Sequence, residues 1–196
     1  DPDQAARTDT VFVMTMEPCV KTAGILSVPR DLAVEIPDGY GGYFLDRINT
    51  AYVYGERREK GTGPRVAVET FEHNFNIPID YYARVEMDGF SRIVDTLGGV
   101  DVNVTCSYRD WRLKEPQLNP NLEGNWRLYT VSAGVIHMDG DLALWYARSR
   151  KLSSDFDRSR RQQEVLRAIY RQVLGLDLIP RIPRLYDELR DTVTTN

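Results

Sequence analysis

The chain has 196 residues and a formal charge of −4 at pH 7, which fits one domain and disfavours a general nucleic-acid-binding protein, because such domains are usually basic. Its 42% hydrophobic content predicts a buried core, and the sequence contains no run of about 18 apolar residues of the kind that crosses a membrane. Only four of the 25 basic residues are lysines. Because the planar guanidinium group matches phosphate and carboxylate oxygens, the excess of arginine indicates either an oxyanion site or an arginine-rich genome.

The first predicted elements are the two strands of a β-hairpin. Residues 10–15 alternate apolar and polar side chains, and residues 24–28 form a second apolar run after a polar segment. Pro29 limits further strand pairing, so Arg30 and Asp31 are expected in a loop at the strand end, a position suited to a binding site. Residues 38–43 are predicted to form an irregular loop, and residue 47 to begin a short helix.

Helical and strand patterns alternate through the middle of the chain. The spacing of apolar residues predicts amphipathic helices over 64–75 and from residue 88 to the Gly98-Gly99 pair. Strands are predicted over 79–87 and 100–104. Residues 108–135 hold prolines, asparagines and two tryptophans without clear periodicity, which predicts a long loop or a small hairpin insertion.

Helices dominate the last third of the sequence. They are predicted over 140–146, from residue 159 to Gly175, and over 183–193. Because strands and helices alternate along the chain, we expect an α/β fold with a mixed sheet and helices on both of its faces. Residues 1–196 are expected to form a single domain.

Positive charge is concentrated between residues 148 and 171, where seven arginines and one lysine face only three acidic residues. In an extended segment Arg148 and Arg150 would project to the same side. In a helix Arg158, Arg161 and Gln162 would share a face. These side chains could converge on a pyrophosphate; the alternative interpretation is a solvated helix face with ion pairs along it.

Three aspartates stand where a metal site could form. Asp9 precedes the first strand, Asp31 follows the second, and Asp155 lies among the arginines. Magnesium takes one or two carboxylates together with phosphate oxygens. A single aspartate is more often a cap or turn residue, and spacing does not decide between these interpretations.

Other common motifs are missing from the sequence. It has no Walker loop, no GxGxxG and no GxSxG pattern, so P-loop, Rossmann and serine-hydrolase functions have no motif support. His73 and His137 lack the spacing of zinc ligands and are predicted to be structural. Cys19 and Cys106 fit no metal or redox motif, and a disulfide between them would require an extracytoplasmic domain.

A series of short motifs, by contrast, occurs in a fixed order. They are Arg7-Thr8-Asp9-Thr10, Ser27-Val28-Pro29-Arg30-Asp31, Arg47-Ile48-Asn49-Thr50-Ala51-Tyr52, Ile79-Asp80-Tyr81-Tyr82, Gly89-Phe90, Val94-Asp95-Thr96-Leu97-Gly98-Gly99-Val100-Asp101-Val102, Gly140-Asp141-Leu142-Ala143-Leu144-Trp145-Tyr146-Ala147-Arg148-Ser149-Arg150, Asp155-Phe156-Asp157-Arg158 and Arg161-Gln162-Gln163. In order and spacing they resemble the LytR-CpsA-Psr family of cell-wall glycopolymer ligases over nearly the whole chain.

The resemblance implies a bacterial enzyme with a three-layer α/β/α sandwich, anchored in the cell membrane on its extracytoplasmic face. Such a phosphotransferase moves a glycopolymer from a polyprenyl-pyrophosphate carrier to peptidoglycan, and pyrophosphatase activity is a further expectation. Magnesium, or manganese in its place, is the implied cofactor. A non-catalytic or regulatory module that binds polyprenyl phosphates is the alternative function, and turnover would distinguish the two.

The resemblance also implies roles for individual residues. Those that would bind the substrate are Arg30, Arg47, Arg148, Arg150, Arg158 and Gln162. Those that would act in catalysis are Asp155, Arg30 and Arg158, with Asp155 either near the acceptor or orienting an arginine. Asp9 and Asp31 would bind the metal, and Asn49 falls on a further motif position. The apolar faces of the helices that contain Val66 and Phe90 would border a slot for the polyprenyl chain.

One departure from the family pattern concerns the start of the sequence. Family members begin with a strand that carries Gly-x-Asp ahead of the Arg-x-Asp segment, whereas this sequence starts at Asp1-Pro2-Asp3. We therefore expect the chain to lack that first strand and the N-terminal membrane anchor.

Overall fold

The computed structural model describes residues 8, 10–17, 19, 22–174, 190 and 192–196. The chain divides into two compact units, one of residues 1–82 with 195–196 and the other of residues 83–194. Each unit has its own cluster of buried apolar side chains. The predicted combination of helices and strands is confirmed, while a single domain and one central sheet between two helical layers stay predictions.

The first unit contains two antiparallel hairpins and two helices. Its elements in chain order are β1 (Val11–Glu17), β2 (Thr22–Val28), β3 (Ala33–Pro37), β4 (Tyr43–Arg47), a 3₁₀ turn (Ile48–Thr50), α1 (Ala51–Arg58) and α2 (Gly63–Phe75). β1 pairs with β2 so that Val11 lies opposite Val28, and β3 pairs with β4 so that Ala33 lies opposite Arg47. The predicted first hairpin and the predicted helix over 64–75 are confirmed.

The second hairpin occupies a region for which the sequence analysis predicted only an irregular loop. Residues 38–42 form its turn, which Asp38 closes by accepting hydrogen bonds from the backbone N–H groups of Tyr40 (2.7 Å) and Gly42 (2.9 Å). These hydrogen bonds lower the pKa of the Asp38 carboxyl. Along β3, buried Val34 and Ile36 alternate with exposed residues, which is the pattern of a strand with one face in the core.

The second unit surrounds the longest helix of the described chain. Its elements in chain order are β5 (Ala83–Val85), α3 (Met87–Thr96), β6 (Val100–Val104), β7 (Tyr108–Leu113), a 3₁₀ turn (Glu123–Asn125), β8 (Trp126–Val131), β9 (Gly134–Met138), α4 (Gly140–Arg148) and α5 (Asp155–Leu174). The first two residues of β10 (Val193–Thr195) also belong to it. β6 pairs with β9 and β7 pairs with β8, both antiparallel. Of the two alternatives for residues 108–135, the hairpin insertion is therefore correct.

The remaining predicted elements differ from the structure mainly at their ends. The predicted strand over 79–87 is limited to β5, because Met87 already begins α3. α3 ends before Gly98 and Gly99, which have φ values of +81° and +85° in the region that favours glycine. Gly175 and most of the predicted helix over 183–193 lie outside the described residues, and Val193 begins β10.

Packing against α5 forms the core of the second unit. The buried side chains come from α3, β6, β7, β8, β9, α4 and α5, and they are Val94, Leu97, Val100, Val102, Val104, Tyr108, Val131, Met138, Ala143, Tyr146, Val165 and Ala168. Buried residues of both α4 and α5 belong to this core, and Arg150 lies in the segment between these two helices. None of the described helices is both long enough and apolar enough to cross a membrane.

Candidate anion-binding site

In the first unit, Asp31 joins two arginines that were predicted to bind substrate. Its Oδ2 lies 3.5 Å from Nε of Arg30, and its Oδ1 accepts a hydrogen bond of 3.2 Å from Nη1 of Arg47. The side chain of Arg30 is 20% exposed, whereas those of Asp31 and Arg47 are 43% and 57% exposed. We call these three residues the Asp31 group. Ion pairs as exposed as that of Asp31 with Arg47 add little to stability, so folding alone does not account for the group.

Backbone hydrogen bonds hold the Asp31 group in place. β2 ends at Val28, as the position of Pro29 in the sequence predicted. The chain then turns, and the N–H of Leu32 donates a hydrogen bond to the carbonyl of Pro29 at 3.0 Å. The N–H of Ile48 donates to the carbonyl of Leu32 (2.9 Å), and the N–H of Asn49 donates to the carbonyl of Arg30 (3.2 Å). The 3₁₀ turn that follows β4 is thereby fastened to the turn that follows β2.

Asn49 is a buried polar residue beside this turn. Its side chain is only 4% exposed, and its Oδ1 accepts no hydrogen bond within the part of the chain that the structure describes. Buried amide oxygens nearly always have a hydrogen-bond partner. The acceptor on Asn49 is therefore a candidate contact for a group outside the described residues.

In the second unit, Asp155 joins two further predicted arginines. Nη1 of Arg158 lies 3.2 Å and Nη1 of Arg150 lies 3.4 Å from the same carboxylate oxygen, Oδ1 of Asp155. The Arg158 side chain is 9% exposed, and those of Arg150 and Asp155 are about half exposed. We call these residues the Asp155 group. Two guanidinium groups that share one carboxylate keep a net positive charge, which suits a phosphate ligand.

Arg148 and Gln162 flank this group at the end of α4 and on the second turn of α5. Arg148 is exposed and makes no ion pair with any described residue. It is the last residue of α4 and is therefore helical, so the sequence argument, which placed Arg148 and Arg150 in one extended segment, does not hold. Gln162 donates from Nε2 to the carbonyl of Ala147 at 3.3 Å, which ties α5 to the end of α4.

Arg161 has a different environment from the other arginines. Its side chain is fully buried at 0% exposure, and burial lowers the pKa of its guanidinium. The guanidinium carbon lies 3.8 Å from the ring centre of Tyr108 and 5.5 Å from that of Tyr146. A residue so enclosed is not a direct ligand contact, although the sequence placed it on one face with Arg158 and Gln162.

The sequence analysis missed a buried acidic residue on α5, Glu164. Its Oε1 accepts hydrogen bonds from Oγ1 of Thr105 (2.6 Å) and Nη1 of Arg160 (2.9 Å), and its Oε2 accepts one from the hydroxyl of Tyr146 (2.7 Å). The helical spacing of Glu164 could have indicated this, because the residues that share its buried face are Arg161, Val165 and Ala168. A charged residue that lies on the same helical face as the apolar residues is expected to face the core.

The described residues do not by themselves form a metal site. No three His, Cys, Asp or Glu side chains among them come close enough together to hold an ion, and the Asp31 carboxylate is already paired with two arginines. Asp9, the other predicted ligand, lies outside the described residues. Cys19 and Cys106 are exposed free thiols.

Together these features define an α/β protein with two arginine-rich groups, a class suited to phosphorylated ligands. The sequence model of the LytR_cpsA_psr family matches residues 1–196, so the chain belongs to that family and the resemblance noted in the sequence is confirmed.

Named relatives and solved structures are also similar to this chain along nearly its whole length. The chain is 32% identical over 195 residues to the polyisoprenyl-teichoic acid–peptidoglycan teichoic acid transferase TagV of Bacillus subtilis (strain 168), covering 98% of this chain and 46% of TagV. The crystal structure of B. subtilis TagV matches with a TM-score of 0.73 at 32% identity, covering 97% of this chain and 66% of that one. TagT bound to LI-WTA matches with a TM-score of 0.68 at 30% identity, covering 97% and 63%. This chain spans about half the length of the curated relatives it matches.

Proposed function

We propose that this chain is the catalytic part of a phosphotransferase that moves a glycopolymer from a polyprenyl-pyrophosphate carrier to peptidoglycan. The observation that carries the proposal is the Asp155 group, in which one carboxylate oxygen gathers Arg150 and Arg158 in a member of the LytR-CpsA-Psr family. Relatives named as teichoic acid transferases support the reaction type, and TagT bound to LI-WTA supports the class of ligand.

The chemistry of such a transfer explains why arginines are needed. A hydroxyl group of peptidoglycan attacks the phosphorus atom that bears the glycopolymer, and a new P–O bond forms. The P–O bond to the polyprenyl phosphate breaks, and the hydroxyl proton passes to a general base. Negative charge grows on the leaving phosphate, and fixed guanidinium groups stabilise it without any covalent intermediate. With water as the attacking group, the same step is pyrophosphate hydrolysis.

The geometry supports an orienting role for Asp155. Its Oδ1 is within ion-pair distance of both Arg150 and Arg158, so the carboxylate is occupied by two cations that it holds near each other. We therefore assign Asp155 to positioning these two arginines rather than to accepting the hydroxyl proton.

The other predicted residues complete the proposed binding set. Arg148 is exposed and makes no ion pair with the described residues, so it is available to a phosphate. Gln162, Arg30 and Arg47 are assigned to substrate binding through the family motifs, and the partial burial of Arg30 beside Asp31 supports a fixed guanidinium.

The cofactor, the partners and the location belong to the same proposal. We expect Mg²⁺, or Mn²⁺ in its place, bound by Asp9 and Asp31, to stabilise charge on the pyrophosphate. The described carboxylates do not suffice for this, so Asp9 is essential to that part of the proposal. A polyprenyl-pyrophosphate donor and a peptidoglycan acceptor place the reaction on the extracytoplasmic face of a bacterial membrane, where a membrane-anchored enzyme would meet both. We expect no nucleic-acid partner.

Substitution of Arg150 tests the proposal directly. We expect Arg150→Ala to weaken the binding of a short-chain polyprenyl pyrophosphate by about 10- to 100-fold, because a hydrogen bond to a charged group contributes about 1.5–3 kcal/mol. Titration calorimetry would measure the affinity, and release of polyprenyl phosphate in the presence of peptidoglycan would measure turnover. Arg167→Ala is the matched control, because Arg167 is an exposed arginine on α5, the helix that follows the segment carrying Arg150.

Three outcomes separate the functions. Loss of binding and turnover in Arg150→Ala, with both retained in Arg167→Ala, supports the phosphotransferase. Unchanged affinity in Arg150→Ala would refute the assignment of the site. Tight binding by the unmodified chain without any turnover would favour the non-catalytic carrier.

A further inference from the structure

All three nitrogen atoms of the Arg161 guanidinium group donate hydrogen bonds to acceptors within the protein. An arginine side chain has five N–H donors, and five acceptors surround this one. Nε donates to the carbonyl of Asp157 (3.3 Å), and Nη1 donates to the carbonyl of Tyr146 and to Oγ of Ser149 (3.3 Å). Nη2 donates to the carbonyl of Ser149 (2.6 Å) and to Oγ of Ser153 (3.0 Å).

The acceptors lie on both sides of the segment that joins α4 to α5. Tyr146 and Ser149 stand at its start, and Ser153 and Asp157 stand at its end. Within this segment lies Arg150. One guanidinium group therefore hydrogen-bonds to residues at both ends of the loop that carries Arg150, an arginine of the proposed site.

The surroundings of Arg161 also explain how its charge is tolerated. The carboxylate of Asp110, which is fully buried, accepts a hydrogen bond from the hydroxyl of Tyr108, and the Tyr108 ring packs against the guanidinium. Burial raises the pKa of the Tyr108 hydroxyl, and its hydrogen bond to Asp110 adds to the effect. A buried charge is costly even when paired, and packed apolar residues often stabilise a core at least as well. A contribution to folding stability therefore does not by itself account for an arginine at position 161.

We propose that Arg161 is a positioning residue, which holds residues 149–154 in the conformation that presents Arg150 to the anionic group of the substrate. The inference rests on the proposed function. Arg161 itself is not proposed to contact the ligand. Its effect on binding passes through the loop and reaches the ligand at Arg150.

A double-substitution cycle tests this route. Arg161→Lys keeps the charge but loses the planar fork that reaches both ends of the loop. We expect it to weaken the binding of a short-chain polyprenyl pyrophosphate by about tenfold when Arg150 is present, a coupling typical of residues that act on one another. In the Arg150→Ala background we expect Arg161→Lys to change the affinity by less than about twofold, because the route through Arg150 is already lost. The fall in melting temperature should be equal in both backgrounds.

Glu164→Gln is the matched control. Glu164 is also a buried charge of α5, but its hydrogen bonds go to Thr105, Tyr146 and Arg160 and to none of residues 149–154. We expect this variant to lower the melting temperature without weakening binding. Ser153→Ala, which removes a single acceptor of Arg161, gives a milder variant that should fold and should weaken binding in the same direction.

The results distinguish this inference from the proposed function. If Arg150→Ala weakens binding but Arg161→Lys and Ser153→Ala do not, Arg161 is not a positioning residue although the site assignment stands. If Arg161→Lys weakens binding equally in both backgrounds, its effect does not pass through Arg150 and the inference is overturned. If Arg150→Ala leaves the affinity unchanged, the site assignment in the proposed function is refuted, and the inference about Arg161 falls with it.

Discussion

Glu164 shows how a buried carboxylate remains ionised. Burial by itself raises its pKa, but hydrogen bonds from Thr105 and Tyr146 and the charge of Arg160 outweigh burial and lower the pKa below the ordinary glutamate value. Burial and the same hydrogen bond raise the pKa of the Tyr146 hydroxyl. Tyr146 thus stays a donor and Glu164 stays an acceptor over the neutral range.

This environment predicts a pH dependence of stability. A carboxylate whose pKa is lower in the folded state contributes stability that is complete above the ordinary value, near pH 4.3, and is lost as the pH falls through the lower folded value. We expect the free energy of unfolding of the native chain to decrease more steeply below pH 4 than that of Glu164→Gln. Urea unfolding at a series of pH values would measure the difference. Parallel curves for the two proteins would show that Glu164 does not contribute.

The same residues show why the sequence predicts charges less well than apolar positions. The charge run from 148 to 171 favoured either a ligand site or a solvated face, and the structure shows a third arrangement, since Arg161 and Glu164 are buried within the unit. Arginine and glutamate are rarely buried, so composition gave no sign of it. What decided their position was contact with Tyr108, Tyr146 and Thr105, which lie far away in the sequence.

At the scale of elements, the approach of α3 to α4 depends on a glycine. Gly140 is the first residue of α4, and a Cβ atom there would lie 2.2 Å from the carbonyl oxygen of Ser91 on α3. Because that oxygen belongs to the backbone, it cannot move aside by rotating. The hydroxyl of Ser91 also donates to the carbonyl of Gly140 at 3.2 Å, so the two helices meet directly at this point.

We therefore expect Gly140→Ala to destabilise the protein by about 1–3 kcal/mol, the usual range for overpacking. Urea denaturation monitored by circular dichroism would measure the loss. Gly124→Ala serves as the control, because a Cβ atom at Gly124 would meet nothing within 4 Å, and we expect it to change stability by less than about 0.5 kcal/mol. Equal stability of Gly140→Ala and the native chain would contradict the close approach.

Element prediction succeeded where local patterns were strong. The helix over 64–75 and the strand over 100–104 had clear apolar periodicity, and the structure contains both. The hairpin of β3 and β4 was missed because a glycine-rich turn between two short strands gave a weaker signal than the long helices did. The proposed site shows the same division: the motifs located Asp31 and Asp155, but only the structure shows which arginines each one holds.

At the scale of the whole molecule, an acidic chain of net charge −4 concentrates arginine where a phosphorylated ligand is expected. Guanidinium groups attract a pyrophosphate by charge and by hydrogen bonds. A divalent cation would add stabilisation of the charge that develops as the P–O bond breaks. Binding of the carrier should therefore depend mainly on the arginines, whereas the transfer reaction should depend on both the arginines and the cation.

Substitution of Asp9 tests whether binding of the carrier can be separated from the transfer reaction. We expect Asp9→Ala to suppress magnesium-dependent cleavage of the pyrophosphate by roughly a hundredfold or more, since a metal ion contributes several kcal/mol of charge stabilisation, while polyprenyl-pyrophosphate affinity changes by less than about threefold because the arginines persist. Chelation of divalent cations by EDTA should have the same effect on the native chain. Calorimetric affinity, phosphate release and melting temperature would be measured in parallel, because an aspartate that only caps a turn would lower stability and impair both functions together. Equal turnover with and without Asp9 would reject its role as a metal ligand.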